Sequence, residues 1–288
     1  MTFDQILGAA AVGGIAGAVA TLVSTVLKDL IFPRQLEQWR TRRELARVFR
    51  KYKDPILLSS TELFYRVDEL FLTDFNYLVR DSSSQSSTVR QSPTYDAPFY
   101  RQYKFESTMY RFCSFLGWLE LYRLEGRFLH AESEPLALNL DHKIDRIQAF
   151  LADRKLNGTP NWSEWNDRVI FREEQRAIGQ MMLTIAFDKD ASVLGYKDFC
   201  DTVLPTKLGW LQIVESFFDG VQSTLQNDFR IIRLHGLCIF LIDVIDDLRA
   251  LAPDSPLFRR RSEHLETLRR HVSEHQNPAL FLYQQDDL

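Results

Sequence analysis

Residues Ile6 to Leu27 contain no charged side chain, and the chain turns strongly basic soon after them. As a helix, at about 1.5 Å per residue, this run is roughly 33 Å long, enough to cross the hydrocarbon core of a bilayer. A secretory signal peptide would place basic residues ahead of the apolar stretch. Here Met1 to Gln5 holds only Asp4, and Lys28-Asp29 follows where small cleavage-site residues belong. A soluble helix normally carries a polar stripe, whereas only Thr21, Ser24 and Thr25 interrupt this surface. Gly and Ala make up nearly half of the run, so a lone helix of this composition is a marginal span. Burial of the same helix inside a larger soluble complex is the rival reading.

The small residues form a row. Ala9, Gly13, Gly17, Thr21 and Thr25 recur every four positions and share one helix face. This small-xxx-small spacing lets two backbones approach closely enough for dispersion and interhelical hydrogen bonds to act. The row predicts a homo-oligomer formed through the membrane helix.

Charge orients the span. Arg34, Arg40, Arg42, Arg43, Arg47, Arg50, Lys51 and Lys53 face only Glu37 and Glu44 between residues 34 and 53, a net of +6. The positive-inside rule then puts the N-terminus outside and everything after Leu27 in the cytoplasm. Pro33 ends the span, and Trp39 falls where an interfacial aromatic anchors. The basic helix from Gln35 onward is suited to anionic headgroups, with a simply solvated face as the alternative.

Residues 1–33 carry −1 and the total is −4, which leaves −9 for residues 54–288. An acidic body argues against nucleic acid as a partner, because a nucleic-acid-binding body would be expected to carry a basic stripe. Cys113, Cys200 and Cys238 are odd in number and far apart, and read as reduced thiols of a cytoplasmic protein. Two glycosylation sequons begin at Asn157 and Asn161, but Pro160 and the cytoplasmic side count against their use.

The body's apolar periodicity is helical nearly throughout. Pro55 is expected to open a helix whose Leu63, Phe64, Val67, Leu70, Phe71, Phe75 and Leu78 follow three- and four-residue steps. A polar, Ser-rich loop covers residues 81–94. Further helices are expected over Pro98–Leu129, residues 139–155, Phe171–Phe187, Lys207–Gln226, Phe229–Leu251 and Leu257–His275, with a loop from Leu156 to Arg168. The only strand-like pattern is short and lies near Tyr95–Tyr100. The predicted architecture is all-α: a transmembrane helix in residues 1–33, a basic juxtamembrane helix in 34–54, and a cytoplasmic bundle of about seven to eight helices in 55–288.

Three groups of residues invite a chemical reading. His271 and His275 flank Glu274 in an H-x-x-E-H pattern, which on a helix could share zinc. A third protein ligand is lacking nearby, so a charged helix end is favoured. Asp243, Asp246 and Asp247 place three carboxylates on one helix face. An all-α metal-dependent enzyme would need a second such motif on a facing helix, and none stands out; pairing with Arg249 is the alternative. Arg172, Glu173, Gln175 and Arg176 cannot all be exposed if their helix is central, which predicts a buried polar network. A ligand-binding role for Arg176 is a further reading, and mid-helix Gly179 is placed to let another helix come close. No phosphate-binding loop, nucleophile elbow or kinase motif appears, and no cofactor is called for.

Lys51-Tyr52-Lys53-Asp54-Pro55 with Glu62-Leu63, then Phe171 to Gly179 (FREEQRAIG), and Leu194-Gly195-Tyr196-Lys197-Asp198-Phe199 resemble a family of all-helical proteins of unknown function from bacteria, algae and fungi. The resemblance covers roughly residues 50–200 and implies an all-α body without any activity. Lys53 stands where that pattern leads one to expect Arg. The function expected from the chain as a whole is that of a single-pass membrane protein acting through contacts with an unidentified protein partner, as a scaffold or effector.

Overall fold

The computed structural model describes residues 32–78, 98–126, 135–157, 168–184, 191–206, 209–222 and 228–275. Eight α-helices appear among them: α1 (Phe32–Leu72), α2 (Pro98–Gly126), α3 (Pro135–Ala152), α4 (Arg172–Met181), α5 (Tyr196–Asp198), α6 (Gly209–Phe218), α7 (Phe229–Arg249) and α8 (Pro256–His275). A 3-10 turn at Arg154–Asn157 and a π-helical stretch at Phe199–Val203 add to the helical content. The body is all-α, as its periodicity indicated. Among the described residues no helix is long and apolar enough to cross a membrane. The run Ile6–Leu27, its row Ala9, Gly13, Gly17, Thr21 and Thr25, and the Ser-rich segment 81–94 lie outside the described residues.

Helix α7 is the axis of the fold. Thirteen of its 21 residues are buried on every side of the helix, including Leu234, Leu237, Leu241, Ile242 and Ile245. A helix apolar all round must be enclosed, and α1, α3 and α8 enclose it. Helix α2 forms a second packing centre, with α1, α4 and α6 against it. Phe64, Phe105, Phe112, Phe115, Phe150, Phe199, Phe217 and Phe218 are fully buried between these layers. Each contributes about 1.5–3 kcal/mol by leaving water.

Two glycines set the closest approaches. A Cβ added at Gly179 would lie 2.7 Å from the Leu116 carbonyl oxygen, so α4 meets the α2 backbone directly there, as the mid-helix glycine suggested. At Gly236 a Cβ would sit 2.1 Å from Cε1 of Phe150, which packs its ring into that gap. Both positions give up helix propensity of about 1 kcal/mol for contact.

Arginines on α7 close the ends of other helices. Arg233, fully buried, donates from Nη1 to the Phe150 carbonyl (2.7 Å) and from Nη2 to that of Asp153 (2.7 Å), at the C-terminus of α3. Arg230 donates from Nη1 to Ser216 (3.0 Å) and Asp219 (2.7 Å) carbonyls at the C-terminus of α6. Asp228 both pairs with Arg230 (2.7 Å) and accepts its amide (3.1 Å), capping α7. Helix C-termini leave carbonyls unpaired and carry partial negative charge, so a guanidinium is well placed there.

Several boundaries differ from the expected ones. Pro55 opens no helix but lies inside α1. Leu45, Val48, Tyr52 and Ile56 are all buried on one face, and that packing outweighs the single bond lost at the proline. Residues 45–54 therefore belong to the core on one side, and residue 54 marks no element boundary. Helix α4 stops at Met181 rather than continuing to Phe187, because Leu183–Thr184 (β1) pairs antiparallel with Ser192–Val193 (β2). Pro98–Tyr100 is helical, not strand. Helix α3 starts at Pro135, a residue preset for the first helical turn, and α6 ends at Phe218 before Gly220 at φ +68°.

Candidate functional site

Two places combine accessible charge with a defined scaffold. The first is the outer face of α1. Leu36, Arg40, Arg43, Arg47 and Arg50 follow three- and four-residue steps, Trp39 lies beside them one turn before Arg43, and all six are exposed. Their exposure is the counterpart of the buried row on the opposite face, which rolls the helix so that these side chains point away from the core. Arg43 stacks over the Trp39 ring at 4.6 Å, and Trp39 itself is 53% exposed. Glu44 offsets Arg47 weakly at 3.6 Å. Arg42 is exposed on another side, and the side chain of Arg34 lies outside the described residues. Lys51 and Lys53 belong to different surroundings. Lys51 pairs with Glu125 (2.8 Å), whose carboxylate also accepts from the Tyr52 hydroxyl (2.5 Å), while Lys53 lies 3.9 Å from Asp54. Burial and the Glu125 carboxylate push the Tyr52 phenol up to about 12.

The second place is a cavity of about 300 Å³ where α1, α2, α3 and α4 meet. Leu45, Leu119 and Ile144 give it an apolar wall; Tyr122, Arg123, Asp141, Asp145, Gln148, Arg172 and Arg176 give it polar groups. Arg123 is held by the buried Glu120 through bonds of 2.7 and 2.6 Å, and Gln180 donates to the same carboxylate at 2.7 Å. Arg172 is paired with Asp145, and this pairing, against the cost of burial, holds the Asp145 carboxyl below its usual range. Arg176 is different. Its Nε–H is shielded from solvent and meets no acceptor among the described residues. Such an unmet, desolvated donor on a charged group costs about 1–3 kcal/mol or more. Burial raises the Asp141 carboxyl above its usual range, with Tyr122 opposing, and it raises the Tyr122 phenol in turn.

The expected network on α4 forms only in part. Gln175 is buried and donates to the carbonyls of Gln148 (3.0 Å) and Ile170 (2.7 Å), tying α4 to α3. Arg172 reaches Asp145, but Glu173 is exposed and joins no buried Glu–Arg network. Glu174 instead accepts the Phe171 amide (2.7 Å) and caps the helix. Residue order explains this: four residues on a short helix cannot share one face, and packing selects position 175 for the inside.

Among the described residues no group of three His, Cys, Asp or Glu side chains could hold a metal ion. Asp243 pairs with Arg261 of α8 (2.6 Å), and Asp247 with Lys143 of α3 (2.6 Å). Asp246 accepts the Leu251 amide (2.9 Å) and ends α7, whose cap residue Ala250 is left-handed at φ +50°. The three carboxylates thus serve three separate structural ends, and Arg249 is exposed rather than their partner. His271 and His275 lie in the last turns of α8, with their side chains outside the described residues.

Arg172 and Arg176 are expected site residues from the sequence, whereas Tyr122, Arg123, Asp141, Asp145 and Gln148 are placed at the cavity only by the fold. Asp141 and Asp145 at i and i+4 look like any solvated stripe of an amphipathic helix. Only the packing of α3 beside α4 turns them toward a cavity. The segments Lys51–Pro55, Phe171–Gly179 and Leu194–Phe199 all have contacts with α2. Lys51 and Tyr52 bond Glu125, Gly179 meets Leu116, and Tyr110 donates to the Leu194 carbonyl at 3.3 Å. No family model matches the chain, and neither a curated protein nor a solved structure matches it.

Proposed function

We propose that this chain is a membrane-tethered helical protein that works through contacts with other proteins. Ile6–Leu27 supplies a single span with the N-terminus outside, and copies associate through Ala9, Gly13, Gly17, Thr21 and Thr25. The body then lies on the cytoplasmic side, with the outer face of α1 against anionic headgroups. One observation carries this reading: Leu36, Trp39, Arg40, Arg43, Arg47 and Arg50 share an exposed face of the helix that follows the uncharged run. An apolar and aromatic end joined to a basic row matches the polarity gradient of a membrane surface. Because Leu45, Val48 and Tyr52 bury the opposite face of the same helix, binding there would fix the orientation of the whole bundle. The family resemblance adds an all-α body to this reading and no activity.

A soluble subunit that buries the same apolar run in a larger complex is the second reading, supported by the run's Gly and Ala content. A metal-dependent enzyme has little support, since Asp243, Asp246 and Asp247 are each engaged elsewhere.

Co-sedimentation of the full chain with vesicles tests the α1 face. Anionic phosphatidylserine vesicles should bind more tightly than neutral ones, and Arg40→Glu with Arg43→Glu and Arg47→Glu should weaken the anionic binding by about tenfold or more. Equal behaviour of both vesicle types, or of variant and parent, contradicts the proposal.

A further inference from the structure

We propose that α8 is held to α1 and α7 by a proton-operated latch, the imidazole pair His235–His264, and that a proton on each ring releases it. His264 of α8 is buried. Its Nδ1 lies 2.8 Å from Nδ1 of His235 on α7, and its Nε2 lies 3.4 Å from Asp68 Oδ1 on α1. One ring thus meets both of these helices. Phe71 of α1 stacks on His235 with ring centroids 3.9 Å apart and reaches His264 at 5.1 Å, which fixes both rings in place.

Two Nδ1 atoms at this distance have room for one hydrogen between them, so one ring must donate and the other must offer a lone pair. Neutral rings meet that condition in either arrangement. One added proton is also accommodated, as an imidazolium donating to an imidazole. A second proton is not: both nitrogens become N–H donors facing each other, on two cations with centroids 5.0 Å apart. The surrounding charges do not remove this repulsion. From α1 the Asp68 carboxylate faces the pair, and from α8 Arg260 donates to that carboxylate at 2.9 Å and also pairs with Glu263. Together these three leave one negative charge, which offsets one imidazolium and not two. From α7 comes the Cys238 thiol, which burial pushes well above its usual range, so it stays neutral. The open form therefore binds one more proton than the closed form, and falling pH favours it. Release costs less than unfolding because α8 buries few apolar side chains. Among its described residues Leu257 and Leu268 are the buried aliphatic ones, and His264 lies between them on the same face.

Cys238 reports on the latch, with or without a bilayer. It is fully buried one turn along α7 from His235, while Cys113 is fully buried in α2, at the second packing centre. The test is labelling of the full chain in detergent micelles with 4,4′-dithiodipyridine, which reacts with exposed thiols in acid, and assignment to each cysteine by mass spectrometry. As pH falls from about 7 to about 5, through the ordinary range of histidine, labelling of Cys238 relative to Cys113 should rise about tenfold or more. His235→Asn and His264→Asn each replace one ring by an amide that both donates and accepts, so each should hold the ratio within about twofold. Using both variants covers the case in which one does not fold. A flat ratio in the parent, an equal rise at Cys113 and Cys238 that marks general acid unfolding, or a rise that the asparagine variants keep overturns the proposal.

Discussion

Arg233 of α7 donates from Nη1 to the Phe150 carbonyl at 2.7 Å, so a side chain from the innermost helix closes the end of α3 from inside the core. It is the largest of the fully buried side chains. An arginine with no exposure is costly to bury, and here backbone carbonyls at a helix C-terminus accept from both of its Nη groups. The charge is thus spent on joining two helices that a purely apolar contact would leave free to slide.

Replacing Arg233 with Met keeps the volume approximately and removes the donors. The carbonyls of Phe150 and Asp153 would then be left without these partners. The expected loss is about 3 kcal/mol, read as a lower urea midpoint with an unchanged slope. A loss under about 1 kcal/mol would mean that the α3 end is satisfied in some other way.

Gly179 makes a sharper test of helix contact. An added Cβ meets the Leu116 oxygen at 2.7 Å and Glu120 Cβ at 2.8 Å, and neither backbone nor Cβ can swing aside. Gly179→Ala should destabilise the fold by about 1–3 kcal/mol despite its better helix propensity. Gly126→Ala, with nothing within 4 Å of the new carbon, is the control and should be neutral or slightly stabilising. Thermal unfolding of the two variants side by side checks the difference.

These contacts also show what could be read before the structure and what could not. The helix over Phe229–Leu251 follows from its apolar period, but its central position does not, because Asp243, Asp246 and Asp247 read as a solvated face while His235 and Asp243 interrupt the apolar run. Pro55 misled, because proline's local preference for a helix start is weaker than the shared inner face of Leu45, Val48, Tyr52 and Ile56. The ends of α4 and α6 were overextended because short pairing at Leu183–Val193 and the left-handed Gly220 break the helical period within one or two residues. Arg176 was singled out by its place on an amphipathic helix. The cavity beside it was not legible, because Asp141, Gln148 and Arg123 come from two other helices whose rotation only tertiary packing sets.

Acid stability should depend on Asp68. Burial works against its charge, yet His264 and Arg260 of α8 together hold its carboxyl below the usual range. His264 Nε2 lies 3.4 Å from Asp68 Oδ1, and His264 Nδ1 lies 2.8 Å from Nδ1 of His235 on α7. A carboxyl depressed in the folded state adds stability above its unfolded value and loses it as pH falls through the folded one. Asp68→Asn should therefore cost about 1–3 kcal/mol at neutral pH and nearly nothing once pH drops below the folded value. Thermal midpoints of parent and variant measured from pH 7 downward should converge in acid; parallel curves would contradict this role for Asp68.

Carbonate extraction of membranes from cells expressing the full chain tests whether the uncharged run Ile6–Leu27 tethers the bundle to a bilayer. The protein should stay in the membrane pellet at high pH, where proteins held only by charge are released. Recovery of the protein in the carbonate supernatant would contradict the span and leave Ile6–Leu27 to be explained by burial within a soluble assembly.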